Sequence, residues 1–461
     1  MTTKILAEYA QHLSYEGLPA PVAGKAKGII LDTLGCSLGG SRTELVGMID
    51  GMINEEGGRP ICTLIGRREK SGASWCAFRN AAAADALDFE DDNVYGHPAS
   101  TIVSAALAVA EETGAGGREM IAAIVAGYDV MARVGEAINP SPERFAQVWG
   151  VGPHQVFGAA VAAAKLMQLH GDAFLYAMGL AGVGAPLPSG LSWNYRERPL
   201  SWHKDSVHWP AWLGVSAARL ARQGFIGPRS VLDGPHGFWI MSGSDRFDPQ
   251  ALLRGLGTDF RIMASSFKPY PACRWVHSAL DAVGNLVREH KLLPSDIAGV
   301  QIESFHLVQD YLFMDYAPAN MVDAEFSLPY SVAMILLGVP PGPEWYTADR
   351  MTDPQVKQMA SKVTLRITQE MNALLDERGM EAARAIITTH EGISHASMVP
   401  VAGGSPGNPL PQGELEAKFL RNSNSVLSGD QARQVMATVD SLDDHERLSG
   451  LCELLRGESP G

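Results

Sequence analysis

Between Asp85 and Pro98 the chain reads Asp-Ala-Leu-Asp-Phe-Glu-Asp-Asp-Asn-Val-Tyr-Gly-His-Pro, five acids and a histidine at the end of an alanine-rich, helix-forming segment. Carboxylates this close repel one another, so one must hold a proton or find a cation. A chain that places such a group beside an imidazole at the mouth of an apolar helix has the parts for proton transfer, with Asp88 or Asp91 to orient His97. The plain alternative is a solvated acidic loop between two helices.

The cations that would answer these acids are clustered. Trp202-His203-Lys204-Asp205-Ser206-Val207-His208-Trp209 is one such stretch. Ser266-Phe267-Lys268-Pro269-Tyr270-Pro271-Ala272-Cys273-Arg274-Trp275-Val276-His277 is the other. Lysines flanked by Trp, Tyr and Pro are partly desolvated, which suits them to anchor a carboxylate or, if the pKa falls, to act as bases. The prolines on either side of Tyr270 fix the backbone that carries Lys268. His154, in Trp149-Gly150-Val151-Gly152-Pro153-His154, lies in a loop just before a helix, where an imidazole can act as acid or base. Either lysine alone also reads as a surface side chain laid over apolar neighbours.

The elements that must position these groups show in the apolar periodicity. To about residue 262 it is helical, most clearly at 101–113, 118–138 and 156–170. The texture then changes. Segments 300–305, 362–368 and 384–390 have strand character, separated by helical stretches at 276–290, 327–337 and 354–361. After the turn-rich Gly403-Gly-Ser-Pro-Gly-Asn-Pro-Leu-Pro the helical period returns at 412–420 and 429–442. The reading is a mainly α protein. A large helical domain is formed by both chain ends (1–262 and 398–461), with a smaller α+β domain inserted over 263–397.

The 461 residues carry a net charge of −14, which sets nucleic acid and anionic membranes aside as partners but leaves room for an anionic small molecule in a local cationic pocket. The five cysteines form no C-x-x-C pair, so no metal or iron–sulfur site is expected, and the compartment reads as reducing and cytoplasmic. The N-terminus reads as an amphipathic helix without a signal core. Gly35-Cys-Ser-Leu-Gly-Gly lacks the preceding strand that a dinucleotide site needs, which disfavours a nicotinamide or flavin oxidoreductase.

Asp88-Phe-Glu-Asp91-Asp92…His97-Pro98 resembles the D-F-D-D…H-P motif of the MmgE/PrpD family, which holds 2-methylcitrate dehydratases, cis-aconitate decarboxylases and iminodisuccinate epimerases. Phe267-Lys268-Pro-Tyr-Pro-Ala-Cys273-Arg274…His277 is similar to its K-P-Y-P-x-C…H segment, and Ala324-Glu-Phe-Ser-Leu-Pro-Tyr330 to its A-K-F-S-x-x-Y segment. Gly404-Ser-Pro-Gly-Asn-Pro-Leu resembles its turn before the last helices. The resemblance runs in order from about residue 5 to 455. It implies an α+β lid on the helical domain, a homodimer, no cofactor, and a site in the cleft between the domains.

By motif match, Asp88, His97, His154, Lys204 and Lys268 would be catalytic. Asp91, Asp92, His203, Tyr270, Arg274 and His277 would bind substrate. The chain departs from the family at Trp149, where a histidine is usual, with His154 five positions later. Asp92 stands where threonine is common and Asp85 where histidine is. The expected activity is a cofactor-independent lyase of the dehydratase type, moving a proton at a carbon next to a carboxylate of a small di- or tricarboxylate. Epimerisation, cis-aconitate-type decarboxylation and non-catalytic carboxylate binding on the same fold are the alternatives.

Overall fold

In a computed structural model of the protein, the described residues are 1–93, 96–148, 152–186, 197–202, 206–411 and 413–457. The protein is mainly α. Its first part is built from α1 (Thr2–His12), α2 (Ala20–Gly40), α3 (Glu44–Glu56), α4 (Ala73–Asp85), α5 (Pro98–Thr113), α6 (Gly117–Ala137), α7 (Gly152–Leu166), α8 (Asp172–Val183) and α9 (His208–Arg222). A two-stranded ribbon of β1 (Cys62–Thr63) and β2 (Lys70–Ser71) lies between α3 and α4. Alanine brings these helices close. On α5 every residue from Pro98 to Ala110 is buried, most of them small. Alanine gives up no side-chain entropy there and lets neighbouring backbones approach.

The second part pairs α10 (His277–His290), α11 (Leu328–Leu336), α12 (Pro354–Ala360) and α13 (Gln369–Arg378) with a four-stranded sheet. The sheet holds β3 (Ile297–Ser304), β4 (Val363–Ile367), β5 (Ala383–Thr389) and β6 (Ser394–Val399) in the order β4-β3-β5-β6. β3 runs parallel to β4 (Ile302 opposite Leu365) and antiparallel to β5 (Ile302 opposite Ala385); β6 closes the edge antiparallel to β5. Burial on β5 alternates strictly, as expected of a sheet with one face on a core, and α10 covers that face.

The chain ends with α14 (Glu414–Ser423), α15 (Gly429–Asp440) and α16 (Ser449–Leu454), whose apolar residues join the core of the first part. Gly35 and Gly39 lie inside α2, so the glycine-rich stretch there is helical. With Gly28 they form one stripe of α2 against α14. A Cβ on Gly35 would sit 3.3 Å from the Phe419 Cα, and one on Gly39 3.3 Å from the Asn422 Cβ. Among the described residues two large apolar cores result, one in the helical part and one around the sheet, beside a small cluster of Val46, Ala83 and Ala86. Leu87 and Phe89, from the loop after α4, pack into the sheet-side core, so the acidic loop lies on the seam between the two.

Candidate active site

The loop from Ala86 to His97 is held at both ends. It leaves α4 through a turn in which the Asp88 N–H donates to the Asp85 carbonyl (2.9 Å). Asp88 adopts a left-handed backbone (φ 49°), a strained choice for a non-glycine residue that its surroundings must enforce. Further on, Asp92 and Ser266 exchange backbone hydrogen bonds (Asp92 N to Ser266 O 3.2 Å, Ser266 N to Asp92 O 2.7 Å), and Asn93 Nδ2 donates to Ser265 Oγ (3.1 Å). This isolated bridge zips the acidic loop to the segment that carries Lys268. Lys25 fastens that segment from below, donating to the Ser265 carbonyl (2.7 Å) with its ammonium over the Phe267 ring (3.9 Å).

Lys268 is fully buried. Its ammonium sits 2.6 Å from Asp88 Oδ1 and 3.1 Å from the Asp88 carbonyl. A buried ion pair with short charge-assisted bonds offsets the desolvation of both groups, and loss of either partner removes that compensation from the other. His97 precedes α5. Its Nδ1 lies 3.0 Å from the Asp91 carbonyl and 3.3 Å from Glu90 Oε1. Both neighbours are acceptors, so the ring carries its proton on Nδ1 and Nε2 is the basic nitrogen of the neutral form. A fully buried carboxyl, that of Glu90, thus lies beside His97, while the Asp88 carboxylate pairs with Lys268.

Asp91 serves the helix. Its Oδ1 accepts the Ala99 N–H (2.9 Å) in the first turn of α5, and its Oδ2 accepts the Tyr128 hydroxyl (2.8 Å). Burial raises its carboxyl to about 7 despite these bonds, and burial likewise pushes Asp92 up. Arg274 spends its guanidinium on the turn after β6, donating to the Gly403 carbonyl (3.0 Å) and to Ser405 Oγ. That turn needs glycine at 404: φ is +81°, and a Cβ would fall 1.7 Å from the Phe267 carbonyl oxygen. The His277 Nε2 meets the Ala272 carbonyl (2.9 Å) and its Nδ1 faces Arg274 (3.4 Å). Burial, followed by the Arg274 charge, holds this imidazole well below its usual pKa, so it is neutral and donates from Nε2. The Tyr270 hydroxyl donates to Asp281 (2.9 Å).

The structure thus brings Asp88, Asp91, Asp92, His97 and Lys268 together at the seam, with Arg274 electrostatically coupled to Asp92. It turns the polar atoms of Tyr270 and His277 toward interior partners. His154 is buried in the first turn of α7. His203, Lys204 and Trp149 lie outside the described residues.

Three further polar groups at the seam carry no signal in the sequence. Glu90 stood in the acidic stretch, but nothing in the spacing says which acid backs the imidazole. Lys418 reaches the loop from α14, donating to the Phe89 carbonyl (2.6 Å). Glu381, just before β5, is half-buried and feels Asp92 and Arg274; burial first and then the Asp92 charge raise it to about 7.

Asp88, Glu90 and His97 place three donor atoms within 4.8 Å of one another, a set that suits a divalent cation. The Lys268 ammonium on Asp88 already supplies positive charge at that point. A mostly apolar hollow of about 750 Å³ opens nearby, past Leu87 and Trp202. Its described walls carry Arg42 and Lys357 against Glu44 and Glu344, a balance that gives a polyanion no preference for it.

Family models match nearly end to end: the MmgE/PrpD N-terminal domain over residues 4–250 and the MmgE/PrpD C-terminal domain over 270–444. The chain belongs to the MmgE/PrpD family. Its relatives include the cis-aconitate decarboxylase of Homo sapiens, 27% identical across 95% of this chain and 91% of that protein. The cis-aconitate decarboxylase of Aspergillus terreus is 26% identical across 98% and 95%, and that of Mus musculus 25% across 99% and 94%. In this MmgE/PrpD chain the D-F-E-D and K-P-Y-P motifs meet as the Asp88–Lys268 pair. No described helix is long and apolar enough to cross a membrane.

Proposed function

We propose that the protein is a cofactor-independent lyase that decarboxylates a small unsaturated tricarboxylate of the cis-aconitate type. The observation that carries this reading is the seam cluster: one imidazole, backed by a buried carboxylate, beside a buried lysine. In such a decarboxylation the bond from carbon to one carboxylate breaks and carbon dioxide leaves. The electron pair enters the allylic system, and one proton added to the far carbon completes a C5 dicarboxylate. His97 is the proton donor and acts as the imidazolium: Nδ1–H is held by the Asp91 carbonyl beside the Glu90 carboxyl, Nε2–H gives its proton to the far carbon, and solvent restores that proton between turnovers. Lys268 and Arg274, with Lys204 by motif match, supply the fixed positive charge that stabilises the developing carbanion. Only one proton donor is needed, which suits a chain with Trp149 at the usual place of a second histidine. The decarboxylase relatives support the same choice.

Dehydration is the second reading. It asks in addition for an acid to accompany the leaving hydroxyl, and the raised carboxyls of Asp91 and Glu381 favour it, since both hold protons near neutrality.

Proton NMR in heavy water, on a panel of C4 to C7 hydroxy-, amino- and unsaturated polycarboxylates, separates the outcomes. Decarboxylation gives carbon dioxide and one deuterium in the product. A dehydratase gives alkene formation or hydration without carbon dioxide, and a pure binder gives no exchange. His97→Gln is expected to lower turnover by about 10²- to 10⁴-fold, the usual worth of a general acid. Lys268→Ala should abolish it and cost about 3–5 kcal/mol of stability, because the buried Asp88 carboxylate loses the ammonium that sits 2.6 Å from it. Turnover retained in both variants would refute the assignment.

A further inference from the structure

Beneath the acidic loop lies a second buried lysine with a carboxylate partner. Lys418, on α14, is buried, and so is Asp32, one turn before Gly35 on the glycine stripe of α2. The Lys418 ammonium is 2.6 Å from Asp32 Oδ1, 2.6 Å from the Phe89 carbonyl oxygen, and 4.1 Å from the centre of the Phe89 ring. Phe89 is the residue between Asp88, which binds Lys268, and Glu90, which backs His97. We propose that Lys418 is a positioning residue: charge-balanced by Asp32, it grips the Phe89 carbonyl and so fixes the turn that presents Asp88 to Lys268 and Glu90 to His97. The inference rests on the catalytic reading of His97 and Lys268 given above.

Three features argue for a role beyond stapling α14 to α2. The glycine stripe already brings the two helices into contact through Phe419 and Asn422, and an apolar pair would serve that packing as well as an ion pair. The ammonium donates past its acid to a main-chain carbonyl of the loop, not to a residue of either helix. The carbonyl it holds follows a residue in the left-handed region, where the backbone relaxes unless its neighbours hold it. A group that acts on the backbone between two catalytic side chains sets both at once, and small misplacements there are costly.

The test separates grip from staple. The double variant Asp32→Leu/Lys418→Met removes both charges and strands neither. Hydrogen–deuterium exchange of the unliganded protein, read on peptides covering residues 86–93, should accelerate at least tenfold, while α2 and α14 keep wild-type protection. In kinetics, kcat should fall at least tenfold with KM within about threefold. Asp32→Asn leaves the buried Lys418 without its balancing charge and should lower global stability, but the amine stays on the Phe89 carbonyl, so in the folded protein loop exchange and kcat should stay within about twofold of wild type. A double variant with wild-type loop exchange or wild-type kcat overturns the proposal, as does a loop loosened in Asp32→Asn. Should the wild-type protein turn over none of the polycarboxylates, the reading of the function fails. The exchange measurement then still decides whether Lys418 holds the loop.

Discussion

In the proposed mechanism, Glu90 is the residue that sets the charge around His97. It is fully buried, its Oε1 lies 3.3 Å from the imidazole Nδ1, and neither of its oxygens makes a hydrogen bond, so its contact with His97 is one of charge. A carboxylate in that place fixes the tautomer and stabilises the imidazolium that forms when Nε2 takes a proton, as the acid of a catalytic triad does. Glu90→Gln keeps the shape and removes the charge. Its kcat should fall at least about tenfold in steady-state assays, with KM within about twofold, because the carboxylate anchors are untouched. Equal kcat in the variant would mean that the Asp91 carbonyl alone orients the ring. Asp88, His97 and Lys268 were legible because each sits in a motif of unusual residue types. The place of Glu90 beside His97 was not, since it follows from the left-handed turn at Asp88 and not from any spacing in the sequence. Lys418 was equally hidden: it lies 329 positions from the carbonyl it holds, in a helix with ordinary amphipathic spacing.

The same difference in signal strength appears among the elements. Long buried helices follow the apolar period closely: the stretch read at 101–113 is α5 (Pro98–Thr113), and that at 118–138 is α6 (Gly117–Ala137). β3, β4 and β5 likewise fall where alternation placed strands. Among the elements without a sequence signal, β6 and α13 lack it for a physical reason. β6 is an edge strand with Val399 its single buried residue, and α13 buries only Met371, so neither carries a periodic apolar signal. The glycines of α2 are the instructive case. Read as a candidate loop they lacked a strand; in the fold they are a packing stripe that sets Asp32 against Lys418. Gly35→Ala tests this. Its Cβ would meet the Phe419 ring at 3.0 Å and the Phe419 Cα at 3.3 Å, and a main-chain atom cannot swing aside as a side-chain tip can. The cost should be about 1–3 kcal/mol in urea unfolding, the range for overpacked sites. A stability equal to wild type would show that α14 can shift away from α2, and with it Lys418 from the loop.

Across the whole molecule, charge is divided between inside and outside. The chain carries −14, yet Lys268, Lys418 and Arg274 are buried at its centre, each against acids or carbonyls. Glu381 comes from the sheet-bearing part and feels Asp92, a residue of the acidic loop, so its protonation reports on the contact across the seam. Burial, then the Asp92 charge, lifts its carboxyl from the ordinary 4.5 to about 7, against the opposing pull of Arg274. Between those two values the folded protein binds a proton at Glu381 that the unfolded chain has released. The stability this group contributes is therefore full below pH 4.5 and is lost as pH rises toward 7. Asp91, raised to about 7 by burial, acts in the same direction. Glu381→Gln keeps the side-chain shape and deletes one of these protons, so its unfolding free energy should fall less steeply from pH 4.5 to 7. The difference from wild type should approach one proton, about 1.4 kcal/mol per pH unit at its steepest. Urea melts at half-unit pH steps measure it. Parallel curves for the two proteins would place Glu381 in solvent, ionised like its unfolded counterpart, and would break the electrostatic link between the sheet-bearing part and the acidic loop.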